Sequence, residues 1–141
     1  MILVALDETA AAPRALRYAA ELAGPLRATL VILRVLRAET YAMSAYPTAI
    51  DDGGRIASEL EWVDALLKRV ELQIGPLPDY EVAIDFALAR HRRIAEMAEQ
   101  HAADLIVMGA ARWGIKQALF GTLAEKTRRA ARCPVLTVNA P

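Results

Sequence analysis

The chain has 141 residues, 55% of them hydrophobic and 24% charged, and its 17 Lys+Arg balance its 17 Asp+Glu to a formal net charge of zero. That composition excludes a disordered chain, suits a single domain over 1–141, and lacks the basic excess that marks a nucleic-acid-binding surface. The longest apolar runs, near 30–36 and 105–111, fall well short of the roughly 20 residues that a membrane span needs, and no charged segment leads into an apolar one at the start, so the expectation is a cytoplasmic protein with no membrane partner.

Short apolar runs alternate with longer amphipathic segments along the chain, the pattern of βαβ units on a parallel sheet. Ile2-Leu3-Val4-Ala5-Leu6 has no polar alternation, as a strand covered on both faces requires, and Asp7 stops it. A helix is expected from about Ala11, with Pro13 tolerated in its first turn and Gly24-Pro25 ending it. The second strand spans Thr29 to Leu36. Arg37 to Gly54 is the least regular stretch, holding Tyr41, Tyr46, Pro47 and Gly53-Gly54; loops of this length are often functional.

Ile56, Leu60, Val63, Leu67, Val70 and Ile74 then step by three and four, which predicts a helix with one apolar stripe, ended by Gly75-Pro76. Glu81 to Phe86 reads as a third strand. A helix near Arg92–His101 turns Ile94, Met97 and Ala98 inward. Leu105 to Met108 forms a fourth strand ending at Gly109, and a helix from Leu123 to about Ala131 leads to a last strand, Val135 to Val138. The lone cysteine, Cys133, reads as a small buried hydrophobe.

Right-handed crossovers wind five such strands into an open parallel sheet, helices on both faces. In the order 3-2-1-4-5 the winding reverses between the first and fourth strands, and ligands of such sheets bind at that reversal, beyond the strands' carboxyl ends. Asp7 and Gly109 would then stand side by side. The segment from Gly109 to Thr122 carries Gly109, Gly114 and Gly121, and glycine lets backbone N–H groups approach an anion. Gly121-Thr122 opens a helix whose free N–H groups favour phosphate, and Arg112 and Lys116 could add charge. Turn glycines plus a Thr122–Glu125 capping box account for the same residues, and the two readings are compatible.

These residues resemble a known family. Ile2 to Thr9, Leu30–Val35, Ala103 to Gly109, Gly121 to Lys126 and Cys133 to Val138 are together similar to the universal stress proteins, over nearly the whole chain and in order. The resemblance implies a sheet like that of the adenine-nucleotide alpha-hydrolases, and a homodimer paired through the last strand, Val135–Val138. In the family's ATP-binding branch it implies Asp7 on the ribose and adenine side, the main chain at Val35 on adenine, and phosphates on G-x2-G-x9-G-[ST]. Gly109 and Gly121-Thr122 match the ends of that pattern. Arg112 stands where its second glycine belongs, Gly114 lies beyond it, and the loop is one residue short. The family's Gly and Pro at the start of the third helix are here Leu88 and Arg90, followed by His91-Arg92-Arg93, either solvated or an added anion contact at the crevice mouth.

Two functions stay open. The first is a regulatory protein binding an adenine nucleotide, ATP with Mg2+ or Mn2+ on its phosphates. The second is a dimeric interaction module whose site has decayed and takes no cofactor. An enzyme is disfavoured, because no Walker, G-x-S-x-G or H-E-x-x-H motif occurs, and Asp7-Glu8-Thr9-Ala10 lacks the histidine of adenylyl transferases. His91 and His101 have no ligand spacing, and Lys126, Arg128, Arg129 and Arg132 read as a solvated helix face.

Overall fold

The computed structural model describes residues 1–38, 52–110 and 122–140, with the backbone alone for 52 and 53. Five parallel strands, β1 (Ile2–Leu6), β2 (Leu30–Arg37), β3 (Tyr80–Ala87), β4 (Leu105–Ala110) and β5 (Val135–Asn139), form one sheet in the order β3-β2-β1-β4-β5. Ile2 stands opposite both Leu30 and Leu105, so β1 is paired on both sides. The reversal of winding therefore falls between β1 and β4, as expected for the order 3-2-1-4-5.

Successive side chains on a strand leave opposite faces of the sheet. Ile2, Val4, Leu6, Ile32 and Val107 face α1 (Ala12–Leu26) and α2 (Asp52–Ile74). Leu3, Ala5, Val31, Leu33, Val35, Ile106 and Met108 face α3 (Arg90–Gln100) and α4 (Leu123–Ala130). Both faces of the central strands are dry, which is why these strands lack polar alternation.

Several boundaries differ from the sequence reading for local reasons. Helix α1 runs through Gly24 and Pro25 to Leu26, and ends where Arg27 turns left-handed and its N–H reaches back to the Ala23 and Gly24 carbonyls. Pro25 removes only one donor, so the last turn accommodates it. Helix α2 begins at Asp52, taking Gly53-Gly54 into its first turn. Val63, Leu67 and Val70 are buried as the stripe predicts, joined by Leu66, whereas Leu60 is 42% exposed. Gly75, at φ +88°, ends α2 in a conformation suited to glycine. Ile94, Met97 and Ala98 are buried on α3, as expected. Cys133 is half-buried rather than buried, and that burial pushes its thiol pKa up.

Candidate functional site

A cleft of about 430 Å3 opens at the carboxyl ends of β1 and β2, walled by the starts of α3 and α4. Alternation explains which side chains reach it. Asp7 continues the phase of Leu3 and Ala5, and Arg37 that of Val31, Leu33 and Val35, so both leave the sheet on the α3–α4 face. Both line the cleft, with Glu8, Thr9, Arg90, His91, Thr122 and Lys126 among their neighbours.

Asp7 is set by a local turn. Its Oδ1 accepts from the Thr9 N–H at 3.0 Å and from the Thr9 hydroxyl, an arrangement Asp favours directly after a strand. Oδ2 accepts no hydrogen bond among the described residues, which leaves an acceptor for a ligand hydroxyl.

Glu8 takes the opposite phase and belongs to a different cluster. Arg34, 2% exposed on β2, donates to Glu8, to Glu59 at 2.7 Å and to the Leu6 carbonyl, and its guanidinium lies 5.1 Å from the Trp62 ring centre. The Arg34 hydrogen bond holds the Glu8 carboxyl below its ordinary pKa. A buried arginine is thus satisfied on every side, and it ties the turn after β1 to α2.

Gly109 lies inside β4, paired with Val138, rather than at the strand's end. It follows the phase of Val107, toward α1. A Cβ there would stand 2.8 Å from the Ala11 Cβ and 3.2 Å from the Thr9 Oγ1. Close packing of β4 against the turn after β1 therefore demands glycine here, whatever the segment beyond it does.

Thr122 caps α4. Its Oγ1 accepts from the Glu125 N–H at 3.1 Å, and Glu125 Oε2 accepts from the Thr122 N–H at 2.9 Å. The capping box expected from T-x-x-E is present, and the same Thr122 lines the cleft. Val35 is 5% exposed and packs in the core under α3. Arg112, Gly114 and Gly121, with Trp113 and Lys116, lie outside the described residues.

The cations were the weakest part of the sequence reading. Lys126 is half-buried on the cleft wall rather than on a solvated face. Arg90 and His91 line the cleft too, while Arg92 points to solvent and Arg93 pairs with Asp85 and Glu96. Burial lowers the His91 pKa, helped by the positive charges of Lys126 and Arg92, so a neutral imidazole faces the cleft near pH 7. Arg37 carried one legible signal, its phase with Val31, Leu33 and Val35. Nothing in the sequence marked Lys126.

An open parallel sheet with a polar cleft at its switch point defines a doubly wound α/β protein, the class whose ligands bind at such a crevice. Comparison with known proteins narrows this. The universal stress protein family model matches residues 1–139, and the chain belongs to that family. A universal stress protein of Methanocaldococcus jannaschii is 47% identical over 49 residues, 34% of this chain and 29% of that protein. The chain thus matches less than a third of that relative's length.

A universal stress protein solved in complex with cAMP superposes with a TM-score of 0.72 at 22% identity, covering 99% of this chain and 97% of that one. One from Archaeoglobus fulgidus, in complex with dAMP, gives 0.68 at 21%, covering 97% and 95%. At such identities these likenesses establish a common fold. No helix among the described residues is long and apolar enough to cross a membrane.

Proposed function

We propose that this universal stress protein binds an adenine nucleotide in the cleft beyond β1 and serves as a regulatory protein rather than an enzyme. The observation that carries the reading is the meeting of Asp7, Thr122 and Lys126 around one cavity at the switch point. Asp7 Oδ2 would accept from a ribose hydroxyl, and the main chain at Val35 would meet the base. The 5′-phosphate would lie at the head of α4, where Thr122, Lys126 and the dipole favour an anion, with Gly109, Arg112, Gly114 and Gly121 supplying the approach to it.

The cAMP and dAMP bound by the two structural neighbours support adenine as the base. ATP is the ligand proposed, with Mg2+ or Mn2+ carried on its phosphates. Among the described residues no group of three or more His, Cys, Asp or Glu could hold a metal, which fits an ion that arrives with the nucleotide. One domain over 1–141 suffices for this site, since a single sheet supplies both walls. The regulatory assignment rests on the carboxylates near the cleft. Asp7 Oδ1 is bound into a turn and its Oδ2 would be taken by the ribose hydroxyl, and Glu8 is held by Arg34, so in this reading neither serves as a base for phosphoryl transfer.

Isothermal calorimetry with ATP and AMP tests the reading. Saturable binding weakened about tenfold or more in Asp7→Ala and in Thr122→Ala is expected, since each removes a hydrogen bond to the ligand, for Asp7 one to a charged group. Absence of saturable heat with both nucleotides overturns it.

A second reading keeps the fold and drops the ligand, as a homodimeric interaction module. Strand β5 is an edge of the sheet, and an apolar edge strand is a template for a partner strand, so Val135–Val138 would pair with a second copy. The expected outcome is a dimer by light scattering at micromolar concentration without nucleotide; a monomer rejects it.

A further inference from the structure

The cleft is lined by cations from the β2–α3 side and from the α4 side, with the Asp7 carboxylate among them. The sheet order puts β2 on one side of β1 and β4 on the other. Arg37 ends β2, and Arg90 begins α3, which packs over β2 and β3. Thr122 and Lys126 belong to α4, which packs on β4 and β5. Asp7, at the end of β1, lies in the middle.

The two arginines at the β2 end have no ion pair among the described residues, although carboxylates stand close by. Glu8 is within electrostatic reach of Arg90, but its carboxylate is hydrogen-bonded to Arg34. Asp85 and Glu96 are taken by Arg93, and Asp85 also accepts from the Phe86 N–H. Elsewhere Arg17, Lys68 and Arg132 each pair with a carboxylate, Arg17 and Lys68 with one a helical turn away. Glu8, Asp85 and Glu96 are thus spent on other arginines, Asp7 has no arginine partner among the described residues, and Arg37 and Arg90 line the cavity. Arg37 is exposed and Arg90 half-buried, and guanidinium groups that line a cleft without a carboxylate partner among the described residues can take a phosphate in bidentate fashion.

We infer that Arg37 and Arg90 form a second anion subsite, which favours an adenosine bisphosphate, with one phosphate at the 5′ position and another on the 2′ or 3′ oxygen, over the 5′-monophosphate. This rests on the nucleotide reading above. The 5′-phosphate takes the α4 end, the ribose lies over Asp7, and the second phosphate reaches the β2 end. A monophosphate held at the head of α4 leaves the Arg37–Arg90 side without a partner.

Calorimetric titrations with adenosine 5′-monophosphate, 2′,5′-bisphosphate and 3′,5′-bisphosphate at one ionic strength separate the possibilities. One bisphosphate is expected to bind about tenfold or more tighter than the monophosphate. Arg90→Ala and Arg37→Ala should each bring that ratio towards one. Arg92→Ala, which alters a neighbouring exposed cation outside the cleft, should keep it. Thermal melts confirm that each variant folds, and either arginine variant alone suffices.

Saturable binding of the monophosphate with no gain from either bisphosphate overturns the inference and leaves the nucleotide reading standing. An Arg92→Ala loss as large as that of Arg90→Ala also overturns it, since the effect would then be general charge. Failure of all three ligands to bind removes both.

Discussion

The two faces of the sheet are covered by unequal helices. On one face lie α1, 15 residues, and α2, 23 residues; on the other lie α3, 11 residues, and α4, 8 residues. The long helices bring alanine and leucine into the gap, with Ala15, Leu16, Ala19 and Ala23 showing no exposed surface. The short helices bury Ile94, Met97, Ala98 and Ala124, and their first turns stand at the strand ends with Arg90, His91 and Thr122 at the cleft. Among the described residues one face is filled by helix side chains, and the other leaves a cleft at the strand ends, where the proposed ligand would enter.

Truncation on the two faces would sharpen that contrast most. Leu16→Ala should cost about 2–5 kcal/mol in chemical denaturation, the usual range for a fully buried leucine, with nucleotide affinity of the folded fraction unchanged. Leu123 is half-buried and lines the cleft. Leu123→Ala should cost less than half as much, since part of its surface is already wet, and should weaken binding. Equal stability losses at both positions would break the contrast.

A smaller effect is expected from pH. The folded Glu8 carboxyl lies below its ordinary value of 4.5, so the unfolded chain takes up its proton first as pH falls. The stabilisation is therefore complete above about pH 4.5 and is lost as pH drops through the folded value. Comparing denaturation midpoints of the parent and Glu8→Gln from pH 7 to pH 3 should show a difference that shrinks on acidification. A constant difference would mean that Arg34 does not depend on the Glu8 charge.

The fold was legible because burial on both faces writes itself into a strand as unbroken hydrophobicity. Ile2–Leu6 and Leu105–Met108 could hardly be read otherwise, and the reversal of winding followed from connection handedness. The site was only partly legible. Asp7 and Thr122 were found because each has a local signature, a carboxylate closing a strand and a capping box.

Lys126 has none and reads with a solvated helix face, whereas Arg90 and His91 read as either solvated or at the crevice mouth. The packing of α3 beside α4 brings all three to the cleft. Arg34 was hidden in the second strand's apolar run, where its partners Glu8 and Glu59 are remote in sequence. Gly109 was expected to end the fourth strand and let the backbone approach an anion, whereas it lies inside β4, where a Cβ would meet the Ala11 methyl group and the Thr9 hydroxyl. Arg112, Gly114 and Gly121 remain readings of the sequence.

The central place of β1 has a consequence for how the chain matures. Its first strand is hydrogen-bonded on one side to β2 and on the other to β4, with Ile2 opposite Leu105. During synthesis the nascent β1–α1–β2 unit carries an open β1 edge until β4 leaves the ribosome. Non-local pairings of this kind are slow to form and aggregation-prone while they wait, so the β1–β4 bonds beside the cleft close only after most of the chain has been made.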